Sequence, residues 1–534
     1  MKKFLFGSLI LGGIALTAQV DESHPENWFN MNAENDSVNG VGTDKAYKEL
    51  LAGKQGSEII VAVIDGGVDY FHEDLKRVMW VNKAEIPGNG IDDDKNGYVD
   101  DIHGWNFIGG MKDGKPTHVD GDNLEVTRTY ASLLPKYGRF SKEKEVAKDN
   151  REEYKLFKKA EKSFKESRDR AFETMIILTA SKKNLDSKAE DLRKALNVEE
   201  ITAESIKGFE TEDEKLKQMV ASYSRLFNYI DYINSQLNYY YNPLIDTREI
   251  VGDDYTDFEN RDYGNNDIKG PDASHGTHVA GIIAADRTND IGMNGIADNV
   301  KIMGIRVVPG GDERDKDIAN GVYYAVDNGA KIINMSFGKK YSPYKSYVDK
   351  AFKYAESKGV LLLAAAGNNA ENLEEIIHYP TDKMKDEEHV FSTWMQIGAS
   401  DVGKTRDEFT ASFSNYGNET VDVFAPGVQI YSTWPENEYK SISGTSMATP
   451  VVSGVAALIM SYYPHLKAEE VKEIILKSAI DHADKKINLP GSNSQDKKGN
   501  PTVKYVKFSK LSLTGGIVNV YEALKLAETE KYKK

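Results

Sequence analysis

Four side chains that lie far apart in the sequence could together activate a hydroxyl group as a nucleophile. They are an aspartate, a histidine, an asparagine and a serine: Asp65, His275, Asn368 and Ser446. A serine hydroxyl is a weak nucleophile until a base within hydrogen-bond reach removes its proton, and histidine is the natural base near neutral pH. A buried carboxylate would fix the imidazole tautomer, and an amide N–H would stabilise an oxyanion. These residue types indicate acyl-transfer chemistry, provided that the fold brings them together.

The sequence around these side chains predicts the elements that would position them. Asp65 and Asn368 follow short apolar runs, whereas His275 and Ser446 open apolar helical patterns. Apolar, β-branched runs that alternate with helical patterns predict parallel strands buried on both faces; they occupy residues 59–64, 300–308, 331–335 and 360–366. We therefore expect an α/β layered sheet. Ligands of such folds collect at the carboxyl ends of the strands, and Ser446 would add a backbone N–H at a helix N-terminus.

The same segments resemble the motifs of the subtilases, the subtilisin-like serine peptidases. The matching stretches are residues 63–69, 275–281, 366–368 and 444–450, supported by 333–338, 412–417 and 424–427, within roughly 25–110 and 265–525. The order aspartate, histidine, serine is that of subtilisin. The resemblance implies a subtilisin-like three-layer fold with a mostly parallel central sheet, and an endopeptidase that works through an acyl-enzyme intermediate. It assigns Asp65, His275 and Ser446 to the triad, Asn368 to the oxyanion hole, and catalysis to His275 rather than to His278.

The resemblance also implies where a polypeptide substrate would bind. The walls of the specificity pocket would be Ser336, Phe337 and Gly338 on one side and Ala365 and Gly367 on the other. An extended peptide would add as a strand beside residues 336–338. His378 would lie at the pocket floor and favour polar or acidic substrate side chains; a position in solvent or in the core is the alternative. We expect the densely charged loop 310–317 to be solvated, the alternative being a cleft that contacts charged substrates.

A long insertion separates the aspartate from the histidine. The interval is 275 − 65 = 210 residues, whereas the resemblance implies only a few tens of residues. Residues 121–250 are rich in Lys, Glu, Tyr and Leu and poor in Gly and Pro, which predicts helices over 141–180 and 212–241. This helical insertion could be a surface decoration that stabilises the fold or a lid at the rim of the active site.

Two groups of oxygen-bearing side chains could bind calcium. The loop 92–101 resembles the first half of an EF-hand loop, and its candidate ligands are Asp92, Asp94, Asn96, Asp100 and the carbonyl oxygen of Tyr98. The alternative is a network of turns made by Asp and Asn side chains. A second site, at Asp74 with Asn289, is implied by the resemblance alone. We expect calcium to stabilise the protein and the chemistry itself to require no cofactor.

The composition and the N-terminal sequence indicate which partners the protein has and where in the cell it acts. The chain has 534 residues, a formal net charge of −16 and no cysteine, which argues against a nucleic-acid partner and excludes disulfides and thiol nucleophiles. Lys2 and Lys3, followed by an apolar run to Ala18, predict a signal peptide over residues 1–19. We therefore expect export to the periplasm or beyond the cell. No later stretch has the length and composition of a transmembrane helix.

The predicted domain organisation follows from these segments. The peptidase domain would comprise residues 20–120 and 251–527 on either side of the insertion, with a charged tail at 528–534. The space between the signal peptide and Asp65 is too short for a large inhibitory pro-domain, so we expect none. A non-catalytic binding protein on the same scaffold and a processing peptidase of narrow specificity are the alternatives. The oligomeric state and the physiological substrate stay open.

Overall fold

A nine-stranded sheet forms the centre of the protein. The computed structural model describes residues 24–32, 36–403, 405–406, 408–492, 494–495 and 501–533; the predicted signal peptide lies outside them. The strands of this sheet and of four separate two-stranded sheets are β1 (Ile59–Asp65), β2 (Gly104–Asn106), β3 (Gly109–Lys112), β4 (Lys115–His118), β5 (Val300–Arg306), β6 (Ile332–Met335), β7 (Leu361–Ala365), β8 (Trp394–Ser400), β9 (Val423–Pro426), β10 (Ile430–Trp434), β11 (Glu438–Ile442), β12 (Ile480–Asp481), β13 (Lys486–Asn488), β14 (Ser494–Gln495), β15 (Pro501–Thr502), β16 (Tyr505–Lys507) and β17 (Gly516–Ile517). The order in the central sheet is β12-β17-β9-β8-β7-β6-β1-β5-β2. Every pairing in it is parallel except that of β12 with β17.

Helices cover both faces of this sheet. The α-helices among the described residues are α1 (Thr43–Glu49), α2 (Glu125–Tyr137), α3 (Arg151–Asp186), α4 (Glu190–Leu196), α5 (Ala203–Ile206), α6 (Glu214–Ser235), α7 (Arg248–Val251), α8 (Ser274–Ala284), α9 (Asp315–Asp327), α10 (Lys345–Ser357), α11 (Thr445–Tyr462), α12 (Ala468–Ser478) and α13 (Val520–Ala527). Successive strand residues point to opposite faces, so Val61 and Val63 of β1 join one core and Ala62 and Ile64 the other. The first core includes α1, α8, α11, α12 and α13, and the second includes α9 and α10. The expected three-layer α/β fold is confirmed.

The segment between β4 and α8, residues 119–273, is called the helical region below; it folds into α2 to α7 with hydrophobic clusters of its own. Helices α2 and α3 pack through aromatic side chains, with Tyr130 stacked on Phe164 at a centroid distance of 4.5 Å. The same cluster includes Tyr341 of the peptidase body. Two further clusters join α3, α4, α5 and α6. Of the two helices predicted at 141–180 and 212–241, the first is α3, which begins later, and the second is α6, which continues as a π-helix over Gln236–Tyr240.

The charged loop 310–317 is largely buried, so the expectation that it is solvated is wrong. Its residues 313–317 are at most 7% exposed. Segments at both ends of the helical region cover this loop and supply opposite charges: Asp122 to Arg314 (2.8 Å), Asp253 to Lys316 (2.7 Å) and Arg248 to Asp317 (2.7 Å). Because each of these buried charges has a partner, the cost of removing it from water is offset.

One helix of the described ranges is long and apolar enough to cross a membrane. It is α11, and 89% of its most apolar window is buried inside the protein. Such burial is typical of the core helix of a globular domain.

Candidate active site

The four candidate side chains converge at the carboxyl edge of the central sheet. Asp65 is the last residue of β1, and Asn368 follows the end of β7. His275 lies in the first turn of α8, and Ser446 lies in the first turn of α11. Because β1, β6 and β7 are parallel neighbours, their carboxyl ends point to the same edge.

Asp65 and His275 form a direct hydrogen-bonded pair across 210 residues of sequence. The Nδ1 atom of His275 lies 2.8 Å from Oδ1 and 2.9 Å from Oδ2 of the buried Asp65 carboxylate. The backbone N–H of Gly66 also donates to Oδ1, at 2.7 Å. A carboxylate only accepts hydrogen bonds, so Nδ1 carries the proton and Nε2 keeps its lone pair. That nitrogen can therefore act as a base.

The environment of His275 favours its protonated form. Burial alone would lower the pKa of the imidazole, but the charge of Asp65 and its hydrogen bond outweigh burial and raise the pKa above its ordinary value of 6.5. The side chain is nevertheless 41% exposed, so solvent screens this interaction in part. The exposed edge of the ring is accessible to a substrate.

His278 has the opposite environment. It is fully buried, and its Nε2 lies 3.0 Å from the carbonyl oxygens of both Ile430 and Lys440. Burial lowers its pKa to about 4, only partly opposed by these contacts. His278 therefore holds α8 against the β10–β11 hairpin and cannot reach a substrate.

Ser446 is fastened to the end of β6 by two reciprocal hydrogen bonds. Its hydroxyl donates to the carbonyl oxygen of Ser336 at 3.0 Å, and the hydroxyl of Ser336 donates to the carbonyl oxygen of Ser446 at 2.9 Å. The Ser446 proton thus points at Ser336 here, and a rotation of the side chain would be required to direct it to His275. Catalytic hydrogen bonds are often loose before substrate binds.

Asn368 is oriented by Thr445, a residue that the sequence analysis did not single out. Both the backbone N–H and the hydroxyl of Thr445 donate to Oδ1 of Asn368, each at 2.9 Å. Because the backbone N–H can only donate, Oδ1 must be the atom facing Thr445, and Nδ2 is left as a donor. The N–H of Gly367 in turn donates to the Thr445 hydroxyl at 3.0 Å. An amide donor is thereby held in place at the start of α11.

Around Asp65 and His275 lies a cleft of about 260 Å³, also lined by Ser336 and Phe337. Gly367 has a φ of 103°, and a Cβ there would lie 2.5 Å from Nδ2 of Asn415, so this position of the wall requires glycine. On the opposite wall, Gly338 precedes an antiparallel bridge between Lys339 and Tyr379.

His378 lies beside Gly367 and is neither in solvent nor in the core. A Cβ on Gly367 would stand 3.4 Å from its Nδ1, while its Nε2 lies 3.0 Å from Oε2 of Glu371. Burial lowers the pKa of His378, although the Glu371 carboxylate opposes this. The neutral ring donates from Nε2 to Glu371, so Nδ1 presents a lone pair towards Gly367. Ala365, two residues before Gly367, is buried, and its carbonyl oxygen accepts a hydrogen bond from the side chain of Gln396.

The acidic loop brings Asp92 and Asp94 together with a third carboxylate, that of Glu85. Oxygen atoms of these three residues lie within 4.8 Å of one another. Asp100 is engaged elsewhere, because its carboxylate accepts hydrogen bonds from the N–H groups of residues 88, 89 and 90. The amide oxygen of Asn96 accepts the backbone N–H of Tyr98 at 2.8 Å. The loop thus has features of both interpretations: a carboxylate cluster and an Asx turn network.

The second predicted pair, Asp74 and Asn289, is in contact. The amide Nδ2 of Asn289 donates to Oδ1 of Asp74 at 2.7 Å, and the N–H of Met293 donates to Oδ2 at 3.1 Å. Burial raises the pKa of Asp74, and both hydrogen bonds oppose this. The hydroxyl of Tyr439 also donates to Oδ2, at 3.5 Å, so the carboxylate already has three protein partners.

Comparisons with known proteins identify the family. The family model described as "Subtilase family" matches residues 56–503. The chain is 40% identical over 214 residues to Subtilisin DY of Bacillus licheniformis, which covers 39% of this chain and 72% of that protein. It is 37% identical over 254 residues to the Thermophilic serine proteinase of Bacillus sp. (strain AK1), covering 47% of this chain and 55% of that protein. With Thermitase of Thermoactinomyces vulgaris it shares 40% identity over 188 residues, covering 35% and 61%. The chain spans between about half and three quarters of these relatives, and it belongs to the subtilase family of subtilisin-like serine peptidases.

Proposed function

We propose that this chain is an exported serine endopeptidase in which Ser446 is the nucleophile, His275 the general base and Asp65 the residue that orients that base. The observation that carries the proposal is the contact of His275 Nδ1 with the Asp65 carboxylate at 2.8 and 2.9 Å. It leaves Nε2 of an accessible imidazole without a hydrogen-bond partner among the described residues, in a cleft that is also lined by Ser336, the hydrogen-bond partner of Ser446.

The reaction would proceed in two halves. Nε2 of His275 takes the proton from Ser446 as Oγ attacks the carbonyl carbon of the scissile bond. Nδ2 of Asn368 and the backbone N–H of Ser446 donate to the oxyanion. The imidazolium then gives its proton to the leaving amine, which releases the C-terminal product and leaves an acyl-enzyme. Water repeats the attack, its proton goes to His275, and Ser446 recovers its hydroxyl when the acid departs.

A polypeptide substrate would add as a strand beside Ser336, Phe337 and Gly338. The pocket next to Gly367 would offer the Nδ1 lone pair of His378, with the Glu371 carboxylate behind it. An acceptor backed by a negative charge favours substrate side chains that donate hydrogen bonds, such as those of Gln, Lys or Arg. This preference is opposite to the acidic one expected from the residue type alone.

A fluorophosphonate probe tests the central proposal. We expect it to label the wild type and the Ser441→Ala variant, in which an exposed serine of β11 is replaced, and not Ser446→Ala. Labelling that persists in Ser446→Ala, or folded wild-type protein that takes up no probe, would overturn the assignment. The second result would favour a binding protein on a subtilase scaffold.

We also propose that calcium stabilises the acidic loop. A hard cation with a preference for oxygen ligands suits the carboxylates of Glu85, Asp92 and Asp94. At a calcium concentration 100 times the Kd, binding would add about 2.7 kcal/mol to the free energy of unfolding. The melting temperature should therefore rise in calcium relative to EGTA, less so in Asp92→Asn, and as in the wild type in Asp113→Asn, an exposed acid elsewhere.

A second calcium site at Asp74 and Asn289 is separable from the first. It would require the Asn289 amide to turn its oxygen towards the cation, replacing the hydrogen bond to Asp74. If this site binds calcium, Asp74→Asn should remove part of the calcium-dependent rise that Asp92→Asn retains. A melting temperature that is identical in calcium and in EGTA contradicts both sites.

Export is the remaining part of the proposal. It rests on the charged start and apolar run of residues 1–19. Expression in a bacterial host, followed by fractionation and N-terminal sequencing, should find a mature form that begins near Val20 outside the cytoplasm. Full-length protein in the cytoplasm would contradict it.

A further inference from the structure

A second, larger groove lies between the helical region and the peptidase body. It measures about 760 Å³, and its lining includes Thr129, Lys159 and Tyr255 on one side and Lys340, Tyr379 and Lys385 on the other. That volume is within the range of ligand-binding clefts in proteins.

The groove continues the wall along which the substrate would lie. Ser336, at the start of the wall, is hydrogen-bonded to Ser446, whereas Lys340 is already part of the groove. Between them, the N–H of Lys339 donates to the carbonyl oxygen of Tyr379 at 2.9 Å, and the N–H of Tyr379 donates back at 2.8 Å. A peptide strand that leaves the nucleophile along residues 336–338 is thus directed into the groove.

The direction in which the substrate chain binds determines which half of the substrate enters the groove. His275 must face the leaving amine, because it protonates that nitrogen. The wall continues from the end of β6, which lies between β1, whose last residue Asp65 contacts His275, and β7, which is followed by Asn368. We infer that the acyl half of the substrate lies along this wall. Residues N-terminal to the scissile bond therefore approach the groove.

The groove holds polar atoms that have no partner within the protein. The hydroxyl of Tyr255 and the hydroxyl of Thr129 are inaccessible to solvent and make no hydrogen bond among the described residues. A buried polar atom without a partner costs free energy that a bound ligand or ordered water would recover.

The charges at the groove are predominantly positive. Within the described ranges, Lys159 and Lys385 have no carboxylate within ion-pair distance, and Lys159 lies 5.5 Å from the centroid of the Tyr341 ring. Two of the acidic residues that line the groove are already paired: Glu125 with Arg128, and Glu153 with Lys136. Asp246 remains without an ion pair but accepts the N–H of Arg248. Two free lysines in a chain of net charge −16 form a local site for negative charge.

We propose that this groove is an outer substrate-binding site for a peptide segment on the acyl side of the scissile bond, and that it favours acidic side chains there. The site deepens the proposed function and rests on it. It gives the helical region a role in substrate selection, since Lys159, Thr129 and Tyr255 all belong to that region.

Matched fluorogenic peptides test the proposal. One short peptide is extended at its N-terminus by a segment containing either two glutamates or two lysines, and at its C-terminus by the glutamate segment as a control. The measured quantity is the ratio of kcat/KM for each extended peptide to that for the short peptide. Two exposed ion pairs should raise this ratio about 2- to 30-fold for the N-terminal glutamates only, and 1 M salt should abolish most of the gain.

Two double variants with the same change in net charge assign the effect to the groove. Lys159→Glu with Lys385→Glu should remove the preference for glutamate or reverse it in favour of lysine. Lys183→Glu with Lys207→Glu, at exposed sites outside the groove, should retain it. An equal ratio for the two N-terminal extensions, an equal gain from the C-terminal one, or equal loss in both double variants would refute the inference. Failure of the proposed function is distinct: the short peptide itself would not be cleaved.

Discussion

Replacing Thr445 by Val tests whether the orientation of Asn368 matters as the geometry indicates. The change removes one hydroxyl that donates to Oδ1 of Asn368 at 2.9 Å and accepts from the N–H of Gly367 at 3.0 Å. The backbone N–H of Thr445 still holds Oδ1. Asn368 therefore keeps one of its two restraints and loses the other.

The expected loss of kcat follows from the removal of one hydrogen bond to Asn368. A neutral hydrogen bond contributes about 0.5–1.5 kcal/mol, and about 1.36 kcal/mol corresponds to a factor of ten in rate, so kcat should fall about 2- to 13-fold. KM should change little, because the oxyanion forms only after binding. Asn368→Ala, which removes the donor itself, should lower kcat by about 10²- to 10³-fold, the loss known from removing the oxyanion-hole asparagine of subtilisin, a relative of this chain.

A matched control separates catalysis from stability. Thr449→Val removes a buried hydroxyl in the same helix, one that donates to the carbonyl oxygen of Thr445 at 2.9 Å and does not touch Asn368. Both variants should lose stability, and Thr445→Val more so, since the N–H of Gly367 is left without an acceptor at a cost of about 1–3 kcal/mol. Steady-state kinetics and urea unfolding measure the two effects. If kcat is equal in the two variants, the positioning role of Thr445 is refuted.

Three further predictions concern pH and the helical region. The midpoint of the acid limb of kcat/KM should lie above pH 6.5, because His275 must be neutral to act and its pKa is raised. Asp65→Asn should move this midpoint to lower pH and lower kcat by about 10⁴-fold. A midpoint that does not move in Asp65→Asn would contradict the assignment. Burial raises the pKa of Glu313 to about 8, so in this pH range the folded state binds a proton that the unfolded state has lost. The free energy of unfolding should therefore fall as pH rises from about 4.5 to 8. Urea titrations should show a smaller fall in Glu313→Gln; an equal fall in the variant and the wild type would exclude Glu313 as its source. Replacing residues 125–241 by a short Gly/Ser linker should leave a folded protein that hydrolyses short peptides and lacks the acidic-extension preference, as judged by circular dichroism and kinetics; a preference that survives the deletion would place its origin elsewhere.

The candidate catalytic side chains can be predicted from the sequence because each lies in a short local pattern of its own. Asp65 ends a buried strand, and Ser446 opens a buried helix, so their neighbours alone predict where they lie. Thr445 is adjacent to Ser446, yet its contact with Asn368 spans 77 residues and depends on which way an amide points. No local sequence pattern predicts the orientation of the Asn368 amide.

Contacts between residues distant in the sequence explain what the sequence did not predict. A run of five charged residues at 313–317 predicts a solvated loop, and only the fold reveals that partners 60 to almost 200 residues away bury it. Glu85 was missed because it precedes the alternating Asp and Asn pattern and reaches Asp92 and Asp94 only when the loop folds back. His378 shows the same limit: its contact with Glu371 determines which nitrogen lies beside Gly367, and the proposed preference for hydrogen-bond donors rests on that contact.

The helical region can lie between Asp65 and His275 without disturbing their contact because its two ends are joined to each other. Asn106, at the end of β2, exchanges backbone hydrogen bonds with Asn265 at 2.9 and 3.1 Å, and their side-chain amides meet at 3.0 Å. The chain thus leaves the sheet and returns to it at one place, ahead of α8. Nearer the helices, Nδ2 of Asn123 donates to the carbonyl oxygen of Asn242 at 2.7 Å, a second closure that a linker can replace. Asp65 is held by pairing of β1 with β5 and β6, and His275 by the core packing of α8, so neither depends on what lies beyond these closures. An insertion attached in this way is free to acquire a role in substrate selection while the catalytic geometry stays fixed.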